Sequence, residues 1–169
     1  MSNNKPATPA IKGAIITLVL LVAGAILYFG AGMANRTAVY ILCALLVAGI
    51  TVSASYFAKQ MDGNVTFGNV FAEGFKTASV VIVLSSICVF VSLKFIVPGV
   101  IDKLLEAGSQ QMKLSGADKE EIKTYMDSAR GYMVPMIIGM ILFFFGVVGA
   151  IGAAFGAMVS DRKPAAPAN

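Results

Sequence analysis

Few side chains in this sequence could do chemistry. The chain has no histidine, two cysteines and nine acidic side chains among its 169 residues. Without histidine, no Ser/His/Asp or Cys/His nucleophile can be assembled. Cys43 and Cys88 each fall inside a long apolar run. Two isolated thiols there make neither a disulfide framework nor a zinc site, and read as small buried hydrophobes. The densest carboxylates are Asp118, Glu120 and Glu121. They read as the acidic first turn of a helix, complementing its positive end, and not as a catalytic acid–base pair. The glycine-rich stretches lie within apolar runs and follow no strand, so they are not phosphate loops. These residues argue against an enzyme and call for no cofactor and no metal.

The elements around them are apolar. The hydrophobic fraction is 57% and the charged fraction 13%, with a mean hydropathy of +0.81. Soluble domains carry about 25% charged residues. A soluble core of this size could not hide so much apolar surface, so lipid is the natural solvent. Residues 13–35 contain no charge, and 13–32 alone give 20 residues, or about 30 Å of helix, the thickness of a bilayer core. A signal peptide is the competing interpretation, with Lys5 and Lys12 as its basic end and Gly32 and Ala34 at a cleavage site. The run is longer than the ~7–15 residues of a cleaved segment, which favours a retained helix.

The same logic gives three further spans. Asn35, Arg36 and Thr37 separate the first run from residues 38–58, again charge-free. Asp62, Gly63 and Asn64 then form a turn. Thr66 suits the N-cap of a third helix, with Phe67, Phe71 and Phe75 on one face and a charge-free stretch at 77–93. Pro98 ends that span. Residues 98–131 read as two short amphipathic helices outside the bilayer, or one broken helix. Ile101, Leu104, Leu105 and Met112 line the first; Ser115 is the expected N-cap of the second, which carries Ile122, Tyr125, Met126 and Ala129. Residues 133–159 are the last charge-free run. The expected fold is all-α: a four-helix transmembrane bundle with two short amphipathic helices between spans 3 and 4. It comprises a polar tail at 1–12, a single membrane domain at 13–160 with spans near 13–33, 37–58, 67–97 and 132–160, the extramembrane segment 98–131, and a disordered tail at 161–169.

Four spans place both termini on one side. Lys5 and Lys12 precede the first helix, and the positive-inside rule weights that helix heavily, so the termini are expected in the cytoplasm. Tyr28, Tyr40, Phe95 and Tyr132 mark one interface, and Tyr56, Phe57, Phe71 and Phe75 the other. The net charge of +4 is spread between the spans. It suits anionic headgroups; no aromatic-interleaved basic stripe suggests nucleic acid.

Helices in lipid lack a mutual hydrophobic drive, so small residues mark their seams. The clearest seam is on the fourth span: Gly139, Gly146, Gly149, Gly152, Ala153 and Gly156. Its expected partner is the first or third span. The second span offers Ala44, Ala48, Thr51 and Ser55; the third, Ala78, Ser85 and Ser92; the first, Thr17, Gly24 and Ala31. The hydroxyls suit interhelical hydrogen bonds; a polar pathway is the sharper alternative.

The stretch from Asp62 through Val65, Thr66, Phe67, Gly68, Asn69, Val70, Phe71, Ala72, Glu73, Gly74 and Phe75 to Lys76 resembles the centre of domain-of-unknown-function family 4199. Those are small multi-pass membrane proteins, mainly of Bacteroidetes-type bacteria. Val97-Pro98, Leu114-Ser115 followed by Glu120-Glu121-Ile122, and Tyr132-Met133-Val134-Pro135 also fit its pattern. The resemblance covers most of the chain and is best from Ser55 onward; the first span matches in hydropathy alone. It implies an architecture and the bacterial inner (cytoplasmic) membrane, and no reaction. The family-like motif, Thr66, Phe67, Gly68, Phe71, Gly74, Phe75 and Lys76, reads as a helix start with an interfacial aromatic face, ahead of a ligand site.

The function expected is that of a non-enzymatic accessory or scaffold component. Its partners would be membrane lipid, a further copy of itself or other membrane proteins, and no nucleic acid. The alternative is an oligomeric transporter or channel subunit for a small solute, which needs several copies because four short helices enclose no lumen. The third span separates the two: either its Ser85–Ser92 face or its Val83–Phe90 face turns away from the bundle.

Overall fold

Pro9 has no backbone N–H to lose at the first turn of a helix, and Thr8 can cap it. The first helix, α1, runs from Pro9 to Ala31, with the Ile11 N–H donating to Thr8 Oγ1 at 3.5 Å. It thus begins inside the stretch expected as polar tail, and takes Lys12 with it. The computed structural model describes residues 8–31, 36–97 and 99–161. Outside the described residues lie the turn at Asn35, Pro98 and both chain ends, 1–7 and 162–169, as do the side chains of Tyr28, Ala31 and Arg36.

α2 spans Arg36–Gln60 and α3 spans Phe67–Val91. Their connection is a helix-ending turn with Asp62 at φ 52° and Gly63 at φ 73°. The Gly63 N–H donates to Ala58 O at 3.0 Å and the Asp62 N–H to Lys59 O at 3.1 Å, which satisfies the last carbonyls of α2. Thr66 caps α3, accepting from the Asn69 N–H at 3.3 Å. α3 passes into a π-helical turn, Ser92–Ile96, closed by the Val97 N–H on Ser92 O at 2.8 Å. α4 is Gly99–Leu114 and α5 is Lys119–Val159. Among the described residues there is no strand, and four helices (α1, α2, α3 and α5) are long and apolar enough to cross a membrane.

The expectation of two short amphipathic helices is corrected. α4 is one; the other is the first part of α5, a helix of 41 residues, about 60 Å long. Gly131 and Pro135 do not stop it. A helical glycine costs only about 1 kcal/mol, and a proline removes one ladder bond. The edge of the charged region is therefore not an edge of the helix. Ser115 is also not the N-cap: it sits in the turn, its hydroxyl donating to Gln111 O at 3.0 Å. Asp118 is the cap, in a reciprocal box: the Glu121 N–H donates to Asp118 Oδ1 at 2.8 Å and the Asp118 N–H to Glu121 Oε2 at 3.3 Å.

The described chain forms two compact units, one from residues up to 85 and from 144 on, the other from 86 to 143. The core of the first draws on four helices: Leu20 of α1, Leu46 and Ile50 of α2, Ala78 and Val81 of α3, and Ala153 of α5. In the second, α4 and the charged part of α5 run antiparallel. Asp102 pairs with Arg130, and the Tyr125 hydroxyl lies 2.9 Å from where a Cβ on Gly108 would stand.

The fourth-span seam packs mainly on α2 and secondly on α3, not on α1. A Cβ on Gly156 would fall 2.6 Å from Ala54 Cβ and 3.0 Å from Thr51 O; one on Gly152, 3.2 Å from Val47 O; one on Gly149, 2.8 Å from Ala78 Cβ. Nothing lies within 4 Å of the corresponding points on Gly146 and Gly139. On α2 the buried stripe is Leu46, Ile50, Ser53, Ala54 and Ala58, while Ala44 and Ala48 are exposed. Two alanine substitutions test this division. Gly156→Ala should lower stability in detergent by about 1–3 kcal/mol, as overpacking does. Gly146→Ala should be neutral or raise it by up to about 1 kcal/mol through helix propensity. Equal effects in a thermal melt would contradict the packing.

Candidate functional site

A charge inside an apolar bundle is tolerated only when paired, so buried charges locate what a membrane helix bundle must hold in place. In the first unit, Lys12 of α1 is buried and Glu73 of α3 is largely covered, 9% and 12% exposed, with Nζ and Oε1 3.6 Å apart. Glycine puts them there. A Cβ on Gly13 would fall 2.7 Å from Val80 Cβ and 3.1 Å from Thr77 O, so α1 touches α3 one residue beyond Lys12. Gly74, one residue beyond Glu73, meets Ala153 and Ala54 in the same way, at 3.0 and 3.1 Å.

Aromatic rings close the site. Lys12 Nζ lies 5.8 Å from the ring centres of both Tyr56 and Phe57 on α2, within cation–π range. Among the described residues Lys12 Nζ has no hydrogen-bond acceptor, and Gln60 Oε1, one turn beyond Tyr56, is buried without a donor. A polar thread continues from Glu73. Thr77 Oγ1 donates to Glu73 O at 3.1 Å. With that hydrogen engaged, Ser53 Oγ on α2 is the donor across the 3.2 Å contact to Thr77 Oγ1. Thr51 and Ser55 donate to Gly152 O and Gly156 O of α5 at 3.1 and 3.4 Å. These hydroxyls tie helices together.

The family-like motif builds the start of α3. Thr66 caps it. Phe67, Phe71 and Phe75 stack in turn, with centres 6.3 and 6.1 Å apart and planes within 10° and 14°. Gly74 is buried, while Gly68 and Lys76 are exposed. Of the seam, Gly149, Gly152, Ala153 and Gly156 are buried in the first unit, Gly146 is half-buried there, and Gly139 is exposed in the second. Cys43 and Cys88 are free and half-buried. Among the described residues no three metal-ligating side chains cluster.

Sequence reasoning missed Lys12, Glu73 and Gln60 as a set, taking Lys12 for tail. A signal was present. Lys12 and Glu73 fall at the starts of the first and third spans and Tyr56 and Phe57 at the end of the second, the ends that antiparallel neighbours share, and both charges are followed by glycine.

Four apolar helices joined through glycines, alanines and hydroxyls are the marks of the α-helical membrane-protein class. Within it, this chain belongs to the family described as protein of unknown function, DUF4199, whose model matches residues 12–158. The chain matches no curated protein and no solved structure.

Glu73→Met and Lys12→Met should each lower stability by about 3–5 kcal/mol, because each leaves the other charge buried and unpaired. The double variant Lys12→Met/Glu73→Met should recover most of that loss in a double-mutant cycle. Single effects below about 1 kcal/mol that simply add would mark the pair as an exposed surface bridge instead.

Proposed function

We propose that the protein is a non-enzymatic structural component of a bacterial inner membrane, an accessory or scaffold that holds other membrane proteins or copies of itself. One observation carries this. Ser85 on α3 is buried, 7% exposed, whereas Val83 on the other side of the same helix is 54% exposed. Ser85 is turned into the bundle and Val83 outward. A pore shared between copies would need the reverse. The hydroxyl contacts from Ser53, Thr51 and Ser55 support the same conclusion, since each binds helix to helix.

In this proposal the four long helices span the membrane and the termini are cytoplasmic. Tyr40, Phe95 and Tyr132, all more than 70% exposed, form the aromatic belt at the opposite interface. Residues 98–131 lie on the periplasmic side. With Cys43 and Cys88 replaced by alanine, single cysteines at Ser2 and Ser115 should label from opposite sides. An impermeant reagent that reaches the Ser115 position only after lysis reverses the topology.

The functional test combines extraction and reconstitution. In mild detergent, a structural component runs in an assembly larger than its own mass and with fixed stoichiometry. In liposomes it leaves small solutes and ions trapped as well as protein-free vesicles do. Flux that rises with protein content overturns the proposal in favour of the transporter or channel subunit.

A further inference from the structure

The second unit contains an apolar cavity of about 800 Å³, within the ~300–1,000 Å³ range of ligand sites. Its walls come from Leu93 and Lys94 in the π-helical turn, Ile101 of α4, and Pro135, Gly139 and Leu142 of α5. Leu93 is buried, whereas Phe90 and Lys94 on one wall and Pro135, Gly139 and Leu142 on the other are exposed, so the cavity is an open groove between the two walls. π-turns recur at functional sites because the extra residue widens the helix and re-aims its side chains. Here the turn holds the one charged residue of the lining. Lys94 Nζ lies over the rings of Phe90 and Phe95, 5.7 and 6.0 Å from their centres. Among the described residues no carboxylate pairs with it.

The lining is ordered along the chain. On α5 it starts at Val134, next to the charged stretch, and ends at Leu142, eight residues or about 12 Å further into the apolar run. On the other wall Lys94 stands nearest the polar connection and Phe90 deeper in the apolar run. One cation at the polar end and hydrocarbon beyond it match a lipid with a negative headgroup. We infer that this cavity is a binding site for an anionic phospholipid, with its phosphate against Lys94 and an acyl chain laid along Gly139 toward Leu142. Gly139 contributes by having no side chain: nothing lies within 4 Å of where its Cβ would stand, so a chain can rest on the α5 backbone.

The site rests on membrane residence but not on the scaffold role, so its failure would leave the extraction and flux results intact. The test uses delipidated full-length protein in neutral detergent. It is titrated with phosphatidylglycerol and phosphatidylcholine of identical acyl chains, with binding read by native mass spectrometry. Phosphatidylglycerol should bind about fivefold more tightly, the share of one lysine at an anionic headgroup. Lys94→Gln should abolish that preference, weakening phosphatidylglycerol more than phosphatidylcholine. Gly139→Leu should fill the cavity and remove both. Should Gly139→Leu fail to fold, Leu142→Trp blocks the other end and decides the matter. Equal affinity for the two lipids in the wild type would overturn the inference. So would a Lys94→Gln variant that keeps the preference, a folded blocked variant that binds like wild type, or displacement of phosphatidylglycerol by inorganic phosphate.

Discussion

Hydrocarbon offers helices no reason to leave it. Within a bilayer, a leucine face is as well solvated by lipid as by another leucine, and association depends on close contact and on polar groups that lipid cannot satisfy. In the first unit this constraint acts where α5 meets α2. Gly152 and Gly156 sit so close to Val47, Thr51 and Ala54 that a methyl group would strike backbone atoms. At that separation dispersion and weak Cα–H···O contacts accumulate, and the hydroxyls of Thr51 and Ser55 reach the carbonyls of the facing helix. Small residues and hydroxyls thus act together: the first permit the approach, and the second use it.

The charge pair follows from the same packing. Lys12 and Glu73 could remain in the headgroup layer if their helices stood apart. Gly13 against Val80 and Gly74 against Ala153 and Ala54 draw α1, α3 and α5 together, so both charges are covered and must answer each other. The rings of Tyr56 and Phe57 complete the enclosure from α2. A pair of this kind contributes more to the uniqueness of the arrangement than to its stability, because desolvation offsets much of the attraction.

Much of this was legible in the sequence, for identifiable reasons. Uncharged runs of about 20 residues have few fates other than crossing lipid, and the four long helices were plain from them. The Thr66 cap and the small residues of the last span were visible by type and spacing. Three features were not. The continuity of α5 through Gly131 and Pro135 was hidden because polarity changes there while the backbone does not. The partner of the glycine seam was expected on the first or third span because both offer small faces; Gly149 does meet Ala78 of α3, but Gly152 and Gly156 pack on Val47, Thr51 and Ala54 of α2, a stripe of mixed size that no run of small residues announces. The Lys12–Glu73 pair was missed because a charge at the end of an apolar run usually reaches the headgroups, and only the glycine beside each one reveals the close approach.

The contact between α2 and α5 is therefore the feature on which the remaining packing turns. It can be observed directly in lipid bilayers by solid-state NMR, through carbon–carbon through-space correlations from Gly156 Cα. The packing described here predicts cross-peaks to Thr51 Cα and Ala54 Cβ in the unmodified protein. A spectrum in which Gly156 correlates with lipid acyl carbons and with neither of those residues would contradict it.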